Sequence, residues 1–408
     1  MKRKLTLVTL FIACMAALVL MPVLAQKDLD STGSAKEDPA KFIRQGKNAI
    51  PGQYIVVLDM DTDVVRGNYA ETLNMVDGLT AAYSAVPVYL YSHALNGFSA
   101  EMTEEQAIKM SQDPRVRFVE EDSIITTTVT QSNAPWGLDR IGQRDLPLNS
   151  IYSYTTTGAG VNVYIIDTGI RRTHTQFQGR AFVGFDAIGD GQNSNDCNGH
   201  GTHVAGTVGA VTYGVAKGVN LFAVRVLNCS GSGSNSGVIA GVNWVTANHT
   251  DPAVANMSLG GGASTALDTA VNNSISAGVT YAVAAGNSNT NAANSSPARV
   301  AAAITVGSST INDARSSFSN FGSVVDIFAP GSSIISTWRT SDTATATLSG
   351  TSMATPHVAG IAARVLQSNP TASPATVRNT IVNDATTNHL SGIPSGTANR
   401  LLFRSSSQ

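Results

Sequence analysis

Three residue types that together make an oxygen nucleophile reactive stand in three short strings of this chain. Asp167 closes the β-branched run Val161-Asn-Val-Tyr-Ile-Ile166 and is followed by Thr168-Gly169. His200 lies in Asn198-Gly-His-Gly-Thr-His-Val-Ala-Gly-Thr207, and Ser352 in Leu348-Ser-Gly-Thr-Ser-Met-Ala-Thr-Pro-His-Val-Ala-Gly360. A serine hydroxyl is a poor nucleophile without a base. Histidine takes its proton near neutral pH, and a buried carboxylate fixes the imidazole tautomer and stabilises imidazolium. Each string alone has an ordinary reading: a turn Asp, a structural His, an N-capping Ser. The three together predict nucleophilic chemistry at Ser352.

Rival site chemistries are weaker. His200 and His203 are three apart and would stack on a helix, as metal ligands can, but no Glu follows as in His-Glu-x-x-His. One working and one structural histidine is the better reading. The order Asp, His, Ser and the string Gly350-Thr-Ser-Met-Ala354 both depart from the α/β-hydrolase pattern of Gly-x-Ser-x-Gly followed by acid and His, which disfavours an esterase. Ser352 follows a glycine and precedes a helical pattern, which predicts a helix N-terminus whose free N–H groups favour developing negative charge. Pro356 is then expected in a first turn. Met353, next to the nucleophile, is expected to make the activity peroxide-sensitive through its bulky, polar sulfoxide.

Such groups need a rigid frame. Leu221–Val226, Val279–Val283 and Ala302–Val306 are short β-branched runs like Val161–Ile166. They alternate with helical stretches at Gly237–Ala247, Ser264–Ala277 and Thr355–Leu366. This predicts an α/β fold with an open, mostly parallel sheet and helices on both faces, with functional groups beyond the carboxyl ends of the strands. Residues 51–130 read differently, as a small α+β domain. It has strands at Gln53–Leu58, Gly97–Met102 and Val116–Glu121, a helix at Tyr69–Tyr83, and a capping box at Thr103–Gln106. Residues 26–50 read as a flexible polar leader. Lys2, Arg3 and Lys4, the apolar run Leu5–Leu24 and the small Ala25 predict a signal peptide over residues 1–25, with a retained membrane anchor as the alternative. Export leaves Cys197 and Cys229 of the 3 cysteines, which read as one disulfide. From Gln131 onward Lys217 is the one Lys, and there is no Glu. A net charge of -2 without a basic cluster argues against a nucleic-acid partner.

Ile165-Ile-Asp-Thr-Gly169, Gly199-His-Gly-Thr-His-Val-Ala-Gly206 and Gly350-Thr-Ser-Met-Ala-Thr-Pro-His-Val-Ala-Gly360 resemble the three signature motifs of the subtilases, closest to the proteinase K branch. The similarity runs from Gln131 to about Arg404, and Gln53–Asp122 resembles the family's inhibitory prosegment. The resemblance implies a secreted, monomeric serine endopeptidase with residues 131–408 as its subtilisin-like catalytic domain. It implies Asp167, His200 and Ser352 as acid, base and nucleophile, and Asn287, in Ala284-Ala-Gly-Asn287, as an oxyanion donor beside the Ser352 N–H. Ser258, Leu259 and Gly260 would form one wall of the primary pocket and Ala284, Ala285 and Gly286 the other. Gly231, Ser232 and Gly233 would pair with extended substrate backbone. Small, uncharged walls lead us to expect cleavage after aromatic and aliphatic residues. Cys197 and Cys229 stand where some relatives carry a disulfide.

The resemblance also implies structural calcium. Asp326 with the carbonyls of Ala301 and Ala303 matches one family site, and the loop of Asp186 and Asp190 is a second candidate. A third, near Asp139 and Gln143, is undermined by Gly142 where relatives carry an acid. No organic cofactor is expected. The partners would be protein and peptide substrates and the chain's own prosegment, with no nucleic acid and no membrane once the signal is removed. Ile124–Thr130 would lie in the substrate cleft and be cut near Thr130. A catalytically dead binding module is the remaining alternative class, and the intact set of Asp167, His200, Ser352 and Asn287 argues against it.

Overall fold

The structure is a computed structural model that describes residues 41–46, 49–59, 69–125 and 128–404. The signal-peptide expectation and Cys14 lie outside these residues. The chain divides into two compact units, residues 1–125 and 126–408.

Among the described residues, the first unit is a five-stranded sheet carrying two helices. Its elements are β1 (Phe42–Ile43), β2 (Ala49–Leu58), α1 (Tyr69–Tyr83), β3 (Val86–Tyr91), β4 (Gly97–Glu101), α2 (Glu104–Ser111) and β5 (Val116–Ser123). Strand order is β1-β5-β2-β4-β3. Val56, Phe98 and Val119 from the sheet meet Leu79 of α1 and Met110 of α2 in one core. The capping box is formed: Gln106 N donates to Thr103 Oγ1 at 3.3 Å and Thr103 N to Gln106 Oε1 at 2.7 Å. The leader expected over residues 26–50 does not hold at Phe42–Ile43 and Ala49–Ile50. Phe42 and Ile43 add a parallel strand against β5, and Ala49–Ile50 already belong to β2. Two apolar residues among polar ones carry no periodicity of their own, so this strand exists only through its partner.

In the second unit β6 (Val129–Ser132) pairs antiparallel with β7 (Ile151–Tyr154) across the short α3 (Trp136–Gly142). Then follow β8 (Asn162–Asp167), β9 (Ala181–Asp186), α4 (His200–Gly209), β10 (Asn220–Arg225), α5 (Asn235–Asn248), β11 (Ala253–Met257), β12 (Gly261–Gly262), α6 (Thr265–Ser276) and β13 (Thr280–Ala284). The chain ends in β14 (Ser295–Ser296), β15 (Ile304–Ser309), β16 (Ile327–Pro330), β17 (Ile334–Thr337), β18 (Thr345–Leu348), α7 (Thr351–Ser368), α8 (Pro374–Asp384), β19 (Thr386–Thr387) and β20 (Arg400–Leu401).

Nine strands form the main sheet, ordered β19-β20-β16-β15-β13-β11-β8-β10-β9. It is parallel apart from the β19–β20 pair. The alternation within β8 shows why its sequence is apolar throughout. Val163 and Ile165 face a core built with α4, α7 and α8, while Tyr164 and Ile166 face one built with α5 and α6. Both faces are covered, as parallel sheets require. Val129 and Thr130 pair with Tyr154 and Ser153, so this part of the expected cleft-bound tail is a strand of the sheet pair β6–β7.

Candidate active site

Strand order reverses around β8, which lies between β10 and β11, and Asp167 ends that strand. This is the switch point at which an open α/β sheet leaves a crevice at its carboxyl edge. Asp167 is fully buried. Its Oδ1 accepts Thr168 N at 2.7 Å and faces His200 Nδ1 at 2.7 Å. His200 opens α4, and the glycines flanking it are required. A Cβ on Gly201 would lie 2.2 Å from Gly169 O, and one on Gly199, whose φ is +115°, would meet the Trp338 ring at 2.5 Å. Burial opposes charge on the imidazole, but Asp167 first and Asp196 second outweigh it and raise the His200 pKa above its ordinary value.

His203 and His357 are structural. His203 Nε2 faces the carbonyls of Ile334 and Ala346 at 3.0 and 3.1 Å, fastening β17 and β18 to α4. His357 Nδ1 faces Met353 O at 2.9 Å. Burial lowers both to about 4, so they are neutral when the site is at work.

Ser352 is the second residue of α7, which begins four residues earlier than its sequence pattern implies. Pro356 therefore lies in the second turn, not the first. There its missing N–H deprives Ser352 O of the helical bond, and its ring crowds that carbonyl. The carbonyl is served from outside instead: Ser258 Oγ donates to Ser352 O at 2.8 Å. Ser352 Oγ donates to Ser258 O at 3.0 Å, and Asn256 Nδ2 donates to Ser258 Oγ at 3.0 Å. Ser258 is thus a two-way clamp on Ser352 as well as part of the cleft wall, a role that nothing local in the sequence signals. In this resting geometry the Ser352 hydroxyl points to Ser258 O.

Asn287 Oδ1 accepts Thr351 N at 2.8 Å and Thr351 Oγ1 at 2.9 Å. Its amide is fixed through the oxygen, which turns Nδ2 towards the Gly350–Ser352 turn, where a Cβ on Gly350 would lie 3.5 Å from it. Met353 is buried beneath the turn at 2% exposure.

Gly231, Ser232, Gly233, Ser258, Leu259 and Gly260 line a cleft of about 560 Å³ together with His200. A second cavity of about 340 Å³ is lined by Leu259, Gly260, Ala284, Ala285, Gly286, Asn287 and Ser352. Neither has an Asp, Glu, Lys or Arg side chain in its lining. Asn320, which sequence reasoning missed, props up the second cavity. Its Nδ2 donates to Ala285 O at 2.8 Å, and its Oδ1 accepts Ser288 N and Thr290 N. Gly286, at φ +102°, leaves the room Asn320 needs.

Cys197 and Cys229 are joined as a disulfide. Asn198 Nδ2 donates to Cys229 O at 3.0 Å, so the bridge couples the His200 segment to the Gly231–Gly233 edge.

Two of the three calcium expectations do not fit the side chains as arranged. Asp186 and Asp190 are both committed to the buried Arg225, with Asp190 Oδ1 and Oδ2 at 2.5 and 2.7 Å from its two terminal nitrogens and Asp186 Oδ2 at 3.1 Å. Asp326 carries Arg378 on Oδ1 and the Thr305 N–H on Oδ2, beside the turn holding Ala301 and Ala303. In both places a guanidinium already supplies the positive charge that a calcium ion would bring. At the third, Asp139 Oδ2 accepts Ser150 N and Gln143 Nε2 donates to the carbonyls of Asp145 and Pro147, while the buried Asp139 Oδ1 has no hydrogen-bond partner, so the side chains there do not exclude a cation.

Residues 158–400 match the model of the subtilase family, and residues 53–128 that of the peptidase inhibitor I9 family. The chain belongs to the subtilase family. It is 53% identical over 372 residues to an extracellular serine proteinase of a Thermus species, strain Rt41A, covering 88% of this chain and 91% of that one. Identity to a cuticle-degrading protease of Metarhizium anisopliae is 41% over 395 residues, covering 95% and 98% of the two chains. The solved structure of a cold-adapted subtilisin-like serine proteinase is 56% identical, with a TM-score of 0.65, covering 67% of this chain and 98% of that one. This subtilase is a serine endopeptidase built behind an I9-type prosegment.

Proposed function

We propose that the mature enzyme is secreted, acts as a monomer, and hydrolyses peptide bonds through an acyl-enzyme on Ser352, with a broad preference for aromatic and aliphatic residues before the cleaved bond. The observation that carries this reading is the 2.7 Å contact of His200 Nδ1 with buried Asp167, in a cleft that shares Leu259 and Gly260 with the cavity lined by a serine at a helix N-terminus. Ser352 Oγ leaves Ser258 O, gives its proton to His200 Nε2 and attacks the carbonyl carbon. Asn287 Nδ2 and the Ser352 N–H, which has no intrahelical acceptor, receive the oxyanion. Collapse expels the amine with the proton from His200. Water then repeats the cycle and frees the acid. Asp167 holds the imidazole tautomer and offsets its charge. Because the His200 pKa is raised, the base is available above that value, and activity falls as pH drops through it.

Gly231–Gly233 offers backbone to an extended peptide, and the uncharged cavity between Gly260 and Ala284–Gly286 supports an apolar side chain there. The prosegment is the intramolecular inhibitor, cut by the enzyme itself near Thr130. Since Val129 and Thr130 pair with β7, that half of β6 must unpair for the cut. Export by the signal at residues 1–25 is part of this reading.

A peptide anilide with an aromatic residue before the cleaved bond, assayed with and without a serine-directed phosphonylating reagent, tests the core of it. Turnover lost with one adduct on Ser352 is the expected result. Turnover that persists after stoichiometric modification would refute it. Ser352→Ala should accumulate as precursor without its signal.

A further inference from the structure

Asp196 is buried, and beyond the effect of its charge on His200 it has no part in the reaction as described so far. Its oxygens take five hydrogen bonds. Oδ1 accepts from Thr168 Oγ1 at 3.0 Å, Asn198 N at 2.9 Å and Gly199 N at 2.8 Å. Oδ2 accepts from Thr202 N at 2.9 Å and Thr202 Oγ1 at 2.6 Å. These donors come from two places: the residue after Asp167, and the start of the helix that His200 opens. Thr168 closes the circuit, since its Oγ1 accepts Gly201 N at 2.8 Å and its N donates to Asp167 Oδ1 at 2.7 Å.

The helix needs this outside help. The first-turn N–H groups of α4 have no intrahelical acceptors, and its N-cap, Gly199, has no side chain to offer. Gly199 cannot be exchanged for a capping residue, because Trp338 fills the space a Cβ would take. Gly201 lies directly against Gly169 O, so no side chain between the two segments fixes their offset. Hydrogen bonding through Asp196 and Thr168 does so instead.

We propose that Asp196 is a positioning residue for the acyl-transfer reaction: it ties the end of β8 to the first turn of α4, and so sets the Asp167–His200 geometry while adding a second negative charge beside the base. The proposal rests on the reading of Asp167, His200 and Ser352 given above. The groups facing His200 are few. Asp167 comes from β8. His203, one turn on in α4, is held neutral by burial. Arg339, in the segment after β17, is bound to Asn198 O at 2.7 Å, two residues before His200, and Asp167 and Asp196 are the charges that act on the imidazole. Removing the charge of Asp196 therefore leaves no other carboxylate but Asp167 next to the imidazole among the described residues.

Asp196→Asn tests this. The amide keeps the shape, but its NH2 group faces N–H and hydroxyl donors. The matured variant and the parent are titrated with a serine-directed phosphonylating reagent, the adduct is located by mass spectrometry, and rates are divided by the titrated concentration. The expected kcat is lower by roughly 10–100-fold, the scale of an ångström-sized misplacement, with KM little changed. The acid limb of kcat/KM moves to lower pH, because a charge favouring imidazolium is gone. A merely structural role would lower yield and leave that limb in place. Titrated Asp196→Asn with the parental kcat and acid limb overturns the proposal. If no Asp196→Asn folds, Thr168→Val decides: it keeps the charge and breaks the circuit, so kcat should fall at least about 10-fold with the acid limb unmoved, and a parental kcat overturns the proposal. A parent without an adduct on Ser352 removes the triad reading and this proposal with it. An adduct on the parent with unaltered variants removes this proposal alone.

Discussion

Pro356 and Ser258 make a coupled pair, and a double-mutant cycle exposes it. Ser258→Ala deletes the hydroxyl that serves Ser352 O and accepts from Asn256 Nδ2. Asn256 is fully buried and its Oδ1 already lacks a partner, so the substitution leaves its whole amide unpaired. Two polar groups are stranded, at about 1–3 kcal/mol each, for a loss of about 2–6 kcal/mol. Pro356→Ala restores the N–H that an α-helix would supply to Ser352 O. In the double variant that carbonyl is served again, so about 1–3 kcal/mol of the loss should return while the cost at Asn256 stays. The cycle is best read by urea denaturation of phosphonylated enzyme, which cannot digest itself. A coupling energy of at least about 1 kcal/mol is expected. Additivity within about 0.5 kcal/mol would refute the account of why Ser258 stands there.

Asn287→Ala should lower kcat with little effect on KM, by the roughly 10²–10³-fold known for this donor in a subtilisin. Phosphonylation at Ser352 would show the variant still folded. Lys217 donates to Val211 O and Gly214 O at 2.9 Å and lies over the rings of Tyr152 and Tyr154, contacts that only partly offset its burial, which lowers it to about 7. The unfolded chain then binds an extra proton between that pH and the ordinary lysine value, so stability should rise as pH increases across this window. Lys217→Met should lose that rise in Tm and keep the rest of the profile. The Cys197–Cys229 bridge closes a sequence separation of 32, for which the chain-entropy estimate is about 3–4 kcal/mol. Cys197→Ser/Cys229→Ser should lower unfolding free energy by about that amount, and no change on denaturation would contradict it.

The chemistry was legible where it is local. Asp167 after a β-branched run, His200 between glycines and Ser352 after Gly350 each declare their element within a few residues, and side-chain period separates strand from helix. Four strands of the mostly parallel main sheet, β8, β10, β13 and β15, follow from the same alternation, whereas β9, β11, β16, β19 and β20 were not read from it. The helix start before Ser352 was misjudged because Thr351–Ala354 carries weak apolar periodicity, and Pro356 reads as a first-turn signal although it lies a turn deeper. Strand β1 escaped notice because two residues have no period.

What the sequence by itself determined is the set of groups and the sheet that carries them, since backbone preference, burial pattern and short motifs act over a few residues. Tertiary structure alone decided their partners. Ser258 meets Ser352 across 94 residues, Asp196 meets Thr168 across 28, and Asn320 meets Ala285 across 35. Arg225 and Arg378 take the carboxylates that looked like calcium ligands. The physical reason is that a buried polar atom must find a partner wherever packing brings one within about 3 Å, and the distance along the chain does not enter that requirement.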